Sequence, residues 1–244
     1  MIIFLGDIHQ NFEYVKFLLK NHNLTDCTII QVGDFGAGVT KPTNELDIHE
    51  SLNSFLKDRN IIMYAIRGNH DDPSYFKGNH IYSNLKLLED YTILDIEDER
   101  ILFIGGAISI DRKARLAEDT VEAKYGSSRR SYWFDEVVIE NKEAIDNARG
   151  ITTLVTHTAP EWCIPVNKTS FGNLVDHFSY DDDKLKDDLR EERKLMSKIF
   201  DDLQKNNDIT NHFYGHFHRS DLTINGNCKH RVLGINELYE LKKY

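Results

Sequence analysis

Short apolar runs alternate with amphipathic segments along the first third of the chain. Each apolar run is followed within two residues by a glycine. The segments between the runs, 12–22 and about 44–58, carry apolar residues at helical spacing. Strands and helices in alternation predict right-handed crossovers and a parallel sheet. The predicted strands are 2–5, 28–32 and 61–66.

The pattern changes in the middle of the chain. Residues 85–110 have the pattern of short strands joined by tight turns, without room for a helix. Helices are predicted over about 135–148 and 185–203, and further strands end at the sequences TTLVTH and YGHFH. An Asn-Gly turn at Asn225 predicts a hairpin near the end of the chain. This order of elements predicts an α/β sandwich in which helices cover two facing sheets.

The composition narrows the class of function. The 244 residues, 40% of them hydrophobic, suffice for one substantial core, and we expect a single domain over 1–244. Lys and Arg total 30 against 40 Asp and Glu, which gives a formal net charge of −10. A chain this acidic lacks the electrostatic footprint of proteins that bind nucleic acids or anionic membranes. We therefore expect neither as a partner.

The cysteines and the apolar segments indicate the compartment. Cys27, Cys163 and Cys228 form no CxxC pair, so their spacing indicates neither a thiolate zinc site nor a redox motif. The chain opens without a basic and long apolar leader, and no later stretch has the length of a membrane span. These features predict a soluble, cytoplasmic protein.

Polar residues of the metal-ligand type follow five predicted strands. Because ligands gather outside the carboxyl ends of the strands in open α/β sheets, we expect the five clusters to converge on one edge. The last cluster has two histidines at positions i and i+2, which point the same way from an extended segment. The clusters are GDIH with Asp7 and His9, GDFG with Asp34, GNHD with Asn69 and His70, TH with His157, and GHFH with His216 and His218.

These motifs, in this order, resemble the calcineurin-like metallophosphoesterase family over the chain from Asp7 to His218. A stretch of the form GGA-S-DR-R is similar to one in the small bacterial and phage members. The resemblance implies a four-layer α/β/β/α sandwich with two facing mixed β-sheets and two bound metal ions. It also implies the ligands, namely Asp7, His9 and His218 for the first ion, Asn69, His157 and His216 for the second, and Asp34 as the bridge.

The implied chemistry is metal-dependent hydrolysis of phosphoric esters. Carboxylate, imidazole and amide ligands without thiolate suit Mn²⁺, with Fe or Zn²⁺ as the alternatives, better than Mg²⁺. Two such ions about 3.5–4 Å apart lower the pKa of a bridging water, so that the resulting hydroxide attacks phosphorus in line. His70 follows the ligand Asn69 directly and is the candidate general acid for the leaving group.

The type of substrate is less well defined. We expect a phosphomonoesterase, with a phosphodiesterase or nucleotide hydrolase as the alternative. A protein-binding scaffold without activity is an alternative from another class, although such scaffolds are expected to lose ligands and all seven ligand positions are present here. The sequence indicates neither the identity of the phosphorylated substrate nor the oligomeric state.

The second motif departs from the protein Ser/Thr phosphatase branch of the family. That branch carries GDxVDRG, whereas this chain reads GDFGAGV, with Ala37 and Gly38 in place of Asp and Arg. The missing Asp would orient the catalytic histidine and the missing Arg would bind phosphate, so a typical protein phosphatase is not indicated. Asp71 or Asp72 is the candidate to orient His70 instead.

Candidate phosphate-binding groups come from other stretches. Arg112 and Arg115 in GGAISIDRKAR, and Arg67 in IRGNHDD, can each grip two phosphate oxygens. Residues 161–183 follow His157 as a long irregular insertion. Because long loops in compact domains are often functional, we expect this insertion to shape the substrate pocket.

Overall fold

The computed structural model describes residues 1–39, 42–78, 82–164 and 170–242. The strands are β1 (Ile2–Leu5), β2 (Thr28–Gln31), β3 (Ile62–Ala65), β4 (Leu85–Leu87), β5 (Ile93–Ile96), β6 (Glu99–Ile104), β7 (Thr153–Thr156), β8 (Asn211–Tyr214), β9 (Asp221–Asn225), β10 (Cys228–Val232) and β11 (Leu238–Glu240). The helices are α1 (Phe12–Asn21), α2 (Pro42–Asp58), α3 (Arg112–Lys124), α4 (Lys142–Asn147), α5 (Ser170–Phe178) and α6 (Leu185–Gln204), with one 3₁₀ turn at Pro73–Phe76.

The strands form two sheets, and both are mixed. The five-stranded sheet has the order β11-β1-β2-β3-β4, in which β1 to β4 are parallel and β11 is antiparallel. The six-stranded sheet has the order β5-β6-β7-β8-β10-β9, with the antiparallel strands β5 and β9 at its edges. The hairpin predicted at Asn225 joins β9 to β10.

Three apolar layers hold the fold together. In the middle layer the two sheets pack face to face, where Phe4 of β1 stacks on Phe213 of β8 with ring centroids 3.6 Å apart. Helices α1 and α2 cover the outer face of the five-stranded sheet, with Leu19 and Leu56 fully buried there. Helices α4 and α6 cover the six-stranded sheet. The predicted four-layer α/β/β/α sandwich with two facing mixed sheets is confirmed.

Several elements differ from those predicted. The helix expected over 135–148 is only Lys142–Asn147, because the residues before it form turns and irregular chain. The pattern also gave no indication of α3, whose only buried residue is Arg115 and which therefore lacks an apolar stripe. In the predicted insertion 161–183, residues 165–169 lie outside the described residues, and α5 lies in the remainder. The expectation that this segment shapes the pocket stays a prediction.

No helix in the described ranges combines the length and the hydropathy that crossing a bilayer requires.

The stack between the sheets leads to a stability prediction. Phe213→Ala should lower the free energy of unfolding by about 3–5 kcal/mol, because it removes a buried ring and leaves a cavity between two rigid sheets. Urea unfolding followed by far-UV circular dichroism measures the change. Phe134→Ala is the matched control, since Phe134 is 76% exposed, and it should stay within about 0.5 kcal/mol of the parent. Equal losses in the two variants would contradict the assigned core.

Candidate metal centre

The backbone at the carboxyl ends of the strands takes an unusual conformation. Four of the predicted ligands have left-handed backbone angles, with φ of 48° at His9, 55° at Asp34, 68° at His216 and 50° at His218. Residues with a Cβ adopt this region at a cost, and they do so most often at functional sites, where the surrounding structure enforces the strain. The turns after β1, β2 and β8 are therefore built to aim particular side chains.

Two glycines allow these turns to come together. A Cβ at Gly68 would overlap the carboxylate and the backbone nitrogen of Asp34, and a Cβ at Gly215 would overlap the carboxylate of Asp7. Any larger residue at either position would push the strand ends apart. The glycines of the GNHD and GHFH motifs are thus needed for close approach.

The first group of side chains consists of the three ligands predicted for the first ion together with Asp34, the predicted bridging ligand. Asp7, His9, Asp34 and His218 each offer one ligand atom within 4.8 Å of the others. The Nε2 atoms of His9 and His218 are 3.0 Å apart, and His218 Nε2 is 3.3 Å from Asp7 Oδ2. His9 Nε2 is 3.7 Å from Asp34 Oδ2. Two imidazole nitrogens and two carboxylates therefore face one small volume.

The second group is centred on the amide oxygen of Asn69. His157 Nε2 is 3.0 Å and His216 Nδ1 is 2.9 Å from Asn69 Oδ1. His157 Nε2 is also 3.2 Å from Asp34 Oδ1, the oxygen that does not face His9. Asp34 thus contacts both groups with its two oxygens. The seven side chains come together in the arrangement that the motifs predicted, while their roles as ligands stay a prediction.

The electrostatics of Asp34 fit a site for cations. Burial raises the pKa of Asp34, but the neighbouring imidazoles, His157 first, outweigh it and hold the pKa well below its usual value. Burial likewise disfavours a charged His157, yet Asp34 raises the pKa of His157 to about 9. Burial holds the pKa of His216 well below its usual value, so this imidazole is neutral and can act as a ligand. The donor set fits borderline divalent cations.

Hydrogen bonds orient these side chains. His157 Nδ1 lies 2.8 Å from the carbonyl oxygen of Val32 and donates to it, which leaves Nε2 to face Asp34. The backbone N–H of His216 donates to Asp7 Oδ2 at 3.0 Å, and that of His70 donates to Asp34 Oδ1 at 2.8 Å. Such contacts fix the tautomer and direction of metal ligands.

A chain of hydrogen bonds holds the Asn69 amide. Asn69 Nδ2 donates to Ser109 Oγ at 3.0 Å, and Ser109 Oγ donates to Glu136 Oε2 at 2.8 Å. The N–H of Ser109 also donates to Glu136 Oε1 at 2.6 Å. This chain directs Asn69 Oδ1 toward the two histidines. Neither residue was predicted from the sequence, because Ser109 lies in the GGA-S stretch without a ligand-type side chain and Glu136 lies in irregular chain without a motif.

Asp71 has a different role from the one considered in the sequence. Its buried carboxylate accepts hydrogen bonds from four backbone N–H groups, and burial raises its pKa to about 6. Asp72 Oδ1 accepts from the N–H of Ser74 and caps the 3₁₀ turn. Both carboxylates are thus turned toward the backbone instead of toward His70. The donors to Asp71 belong to Phe35, Gly36, Ala37 and Gly68, so this residue ties the second motif to the third.

His70 lies at the accessible side of the site, 36% exposed. Its Nε2 is 4.0 Å from Asp34 Oδ2 and accepts a hydrogen bond from Arg115 Nη2. Arg115 reaches this point from α3 and is held there by Asp111, with Nε 2.8 Å from Oδ1. Burial lowers the pKa of His70 to about 4. The structure thus pairs the predicted general acid with one of the predicted phosphate-binding arginines.

The other two candidate arginines are engaged elsewhere. All five N–H groups of Arg67 donate to protein oxygens, two of them to Asp90 and the others to carbonyls of residues 135–137. Arg112 forms a two-point pair with Asp182, at 2.6 and 3.1 Å, and a further contact with Asp188 at 2.7 Å. Substrate binding by either arginine would require these contacts to break.

The fold and this site together define a metallophosphoesterase, with carboxylates, imidazoles and an amide gathered at the strand ends of an α/β/β/α sandwich. The sequence profile of the calcineurin-like phosphoesterase family matches residues 1–220. The chain belongs to that family. It is therefore a metal-dependent enzyme that hydrolyses phosphoric esters.

Solved structures with similar folds have low sequence identity to this chain. GAP50, the anchor in the inner membrane complex of Plasmodium, is 14% identical with a TM-score of 0.45, over 96% of this chain and 70% of that one. The phosphopantetheinyl hydrolase PptH from Mycobacterium tuberculosis is 14% identical with a TM-score of 0.45, over 96% of this chain and 90% of that one. No curated protein sequence matches the chain.

The hydrogen-bond chain to Asn69 leads to a prediction about metal affinity. Ser109→Ala should weaken binding of one of the two Mn²⁺ ions, the one expected at Asn69, His157 and His216, by about 10–100-fold, because the amide of Asn69 loses the partner that orients it. Equilibrium binding of Mn²⁺, followed by electron paramagnetic resonance of the free ion, measures both affinities. Ser54→Ala on the exposed face of α2 is the matched control. Unchanged affinities in the Ser109 variant would show that Ser109 does not position a ligand.

Proposed function

We propose that this enzyme is a phosphomonoesterase with a dinuclear centre that binds Mn²⁺, with Fe or Zn²⁺ as the alternatives. The observation that carries the proposal is the meeting of seven ligand-type side chains from five strand ends around Asp34 and Asn69. Asp34 contacts both groups, as a bridging carboxylate would.

The proposed division of ligands follows the two groups of contacts. Asp7, His9 and His218 would hold one ion, and Asn69, His157 and His216 the other. When bound, such a pair of ions supplies a bridging hydroxide as nucleophile and positive charge for the phosphoryl oxygens. The part of the protein is to fix these donors, to position the ester and to supply a proton to the leaving group.

We propose that His70 and Arg115 perform the last two tasks. The guanidinium of Arg115 contacts His70 Nε2. If a substrate phosphate binds this guanidinium in place of His70, the Nε2 atom of His70 is free to face the ester. A nearby phosphate dianion favours the protonated imidazole. His70 would then donate its Nε2 proton to the leaving oxygen.

Charge favours monoesters over diesters. A phosphomonoester dianion carries one more negative charge than a diester, and Arg115 offers a fixed positive charge beside His70. The chain as a whole has a net charge of −10, which opposes association with polyanions such as nucleic acids.

All three cysteines are free thiols, as expected of a protein in the reducing cytoplasm.

A substrate panel tests the proposed activity. With Mn²⁺ bound, kcat/KM for aryl monoesters should exceed that for aryl diesters by about tenfold or more, equivalent to about 1.4 kcal/mol of transition-state stabilisation. Cyclic nucleotides, dinucleoside polyphosphates and phosphopeptides complete the panel, and a chelator should abolish all turnover. Faster hydrolysis of diesters would favour the diesterase alternative. No turnover with any divalent ion would favour the scaffold.

A variant of His70 tests whether this residue acts as a general acid or as a metal ligand. His70→Ala should keep both metal ions and lose about 10²–10⁴-fold in kcat on alkyl monoesters, the usual contribution of a positioned general acid. The loss should shrink on nitrophenyl esters, because nitrophenolate leaves without a proton.

Steady-state kinetics and metal analysis of the same samples make the comparison. His22→Ala, which changes an exposed histidine at the end of α1, should behave as the parent. Equal losses on both ester types, or loss of metal from the His70 variant, would rule out the general-acid role.

A further inference from the structure

A second group of possible metal ligands lies apart from the residues of the candidate metal centre. Cys163, His212 and His230 each offer one ligand atom within 4.8 Å of the others. All three side chains are fully buried, with 0% exposure. The proposed hydrolysis uses none of them, so their meeting in the interior calls for another explanation.

Strand pairing brings the two histidines together. His212 on β8 and His230 on β10 are direct partners in the parallel register, and their Nδ1 atoms are 2.9 Å apart. Cys163 comes from the segment after β7, where its N–H donates to the carbonyl of Pro160 at 3.0 Å. Three distant parts of the sequence thus meet on the outer face of the six-stranded sheet.

The hydrogen bonds around His212 fix its tautomer. The hydroxyl of Thr156 donates to the carbonyl oxygen of Thr158, so its oxygen accepts from His212 Nε2, 2.8 Å away. With its proton on Nε2, His212 directs the Nδ1 lone pair toward His230. A ring nitrogen held by such an acceptor, with the other nitrogen free to bind, is the usual arrangement of a metal-ligating histidine.

His230 is incompletely satisfied. Within the described part of the chain its Nε2 is buried and has no hydrogen-bond partner. The surroundings are aromatic, with the rings of Phe200 and Trp162 at 5.0 and 6.2 Å from the imidazole. An unpaired polar atom in such a place costs stability. Because His230 faces His212 with its Nδ1 atom, a metal ion would bind His230 through Nδ1 and leave Nε2 unpaired, so the metal bonds must outweigh this cost.

We propose that Cys163, His212 and His230 bind one Zn²⁺ ion, as three of its four ligands, at a site separate from the candidate metal centre. One thiolate and two imidazoles are the donors that Zn²⁺ prefers, at bond lengths of about 2.3 Å for sulfur and 2.0–2.1 Å for nitrogen. Tetrahedral ligand atoms at these lengths lie about 3.3–3.6 Å apart, so the three side chains need only small shifts.

Binding requires a change of protonation at the sulfur. Burial raises the pKa of the Cys163 thiol to about 12, so the sulfur is neutral until a cation takes the place of its proton. The proton of His230 moves from Nδ1 to Nε2, which leaves both Nδ1 atoms able to bind the ion. The S–H bond breaks, the Zn–S bond forms and the thiol proton passes to solvent. No electron is transferred.

Sequence spacing gave no sign of this site. The three residues are separated by 49 and 18 positions, counted from Cys163 to His212 and from His212 to His230, and none belongs to a CxxC pair. The expectation that the cysteines form no zinc site rested on short motifs, whereas strand pairing creates the group. An ion here would tie the segment that carries Cys163 to β8 and β10.

Cobalt titration of the whole chain tests the proposal. After removal of metals by a chelator, Co²⁺ should produce near-ultraviolet sulfur-to-cobalt charge-transfer absorption that saturates at one ion per chain, and Zn²⁺ should abolish it. The ligands assigned to the catalytic centre include no cysteine, so only a thiolate site produces this absorption. Asp34→Asn should retain it in full.

Cysteine variants identify the sulfur. Cys163→Ser should lose the absorption, whereas Cys228→Ser and Cys27→Ser, which change the other buried thiols, should keep it. If Cys163→Ser folds poorly, metal content of the Asp34→Asn protein decides, since one Zn²⁺ should remain bound to it. Absence of the absorption in the parent chain would reduce the group to a histidine–histidine hydrogen bond. Absorption that survives in Cys163→Ser would also overturn the proposal.

Discussion

The buried carboxylate of Asp34 is the constraint on which the site depends. Its two oxygens contact different imidazoles, His9 at 3.7 Å and His157 at 3.2 Å, and it also accepts the backbone N–H of His70. A carboxylate with 1% exposure is stable only where positive charge or hydrogen bonds surround it. The left-handed backbone of Asp34 and the absence of a side chain at Gly68 are both consequences of this requirement, because the turn after β3 must pass directly against the carboxylate.

The packing of the two sheets brings the other half of the site to this carboxylate. Asp7, Asp34 and Asn69 follow strands of the five-stranded sheet, whereas His157 and His216 follow β7 and β8 of the six-stranded sheet. The apolar layer between the sheets, with Phe4 stacked on Phe213, therefore sets the separation of the two sets of donors. A hydrogen bond at the carboxyl ends of the strands also links the two sheets, since the N–H of His216 donates to Asp7. A rigid apolar layer is what allows polar groups to be held at bonding distance.

The sequence predicted those parts of the structure that have a local signal. Strands that end in Gly-Asp, Gly-Asn and Gly-His can be recognised one at a time, and parallel topology then brings them to one edge. Helix α3 could not be recognised, because a helix that buries only Arg115 shows no apolar period. Glu136 could not be found either, because it acts from irregular chain through a serine. The group of Cys163, His212 and His230 depends on strand register, which the sequence does not reveal without a known pairing.

Strand β8 shows how one short segment can serve two different sites. Side chains alternate along a strand, so Phe213 enters the layer between the sheets while His212 and Tyr214 face outward toward α6. Two residues beyond Tyr214 the chain turns into the left-handed conformation that aims His216 at Asn69. A zinc ion bound to His212 and His230 would hold β8 and β10 together just before this turn. It would then support the position of His216, a proposed ligand of the metal centre, through the backbone of β8 and without contact with substrate.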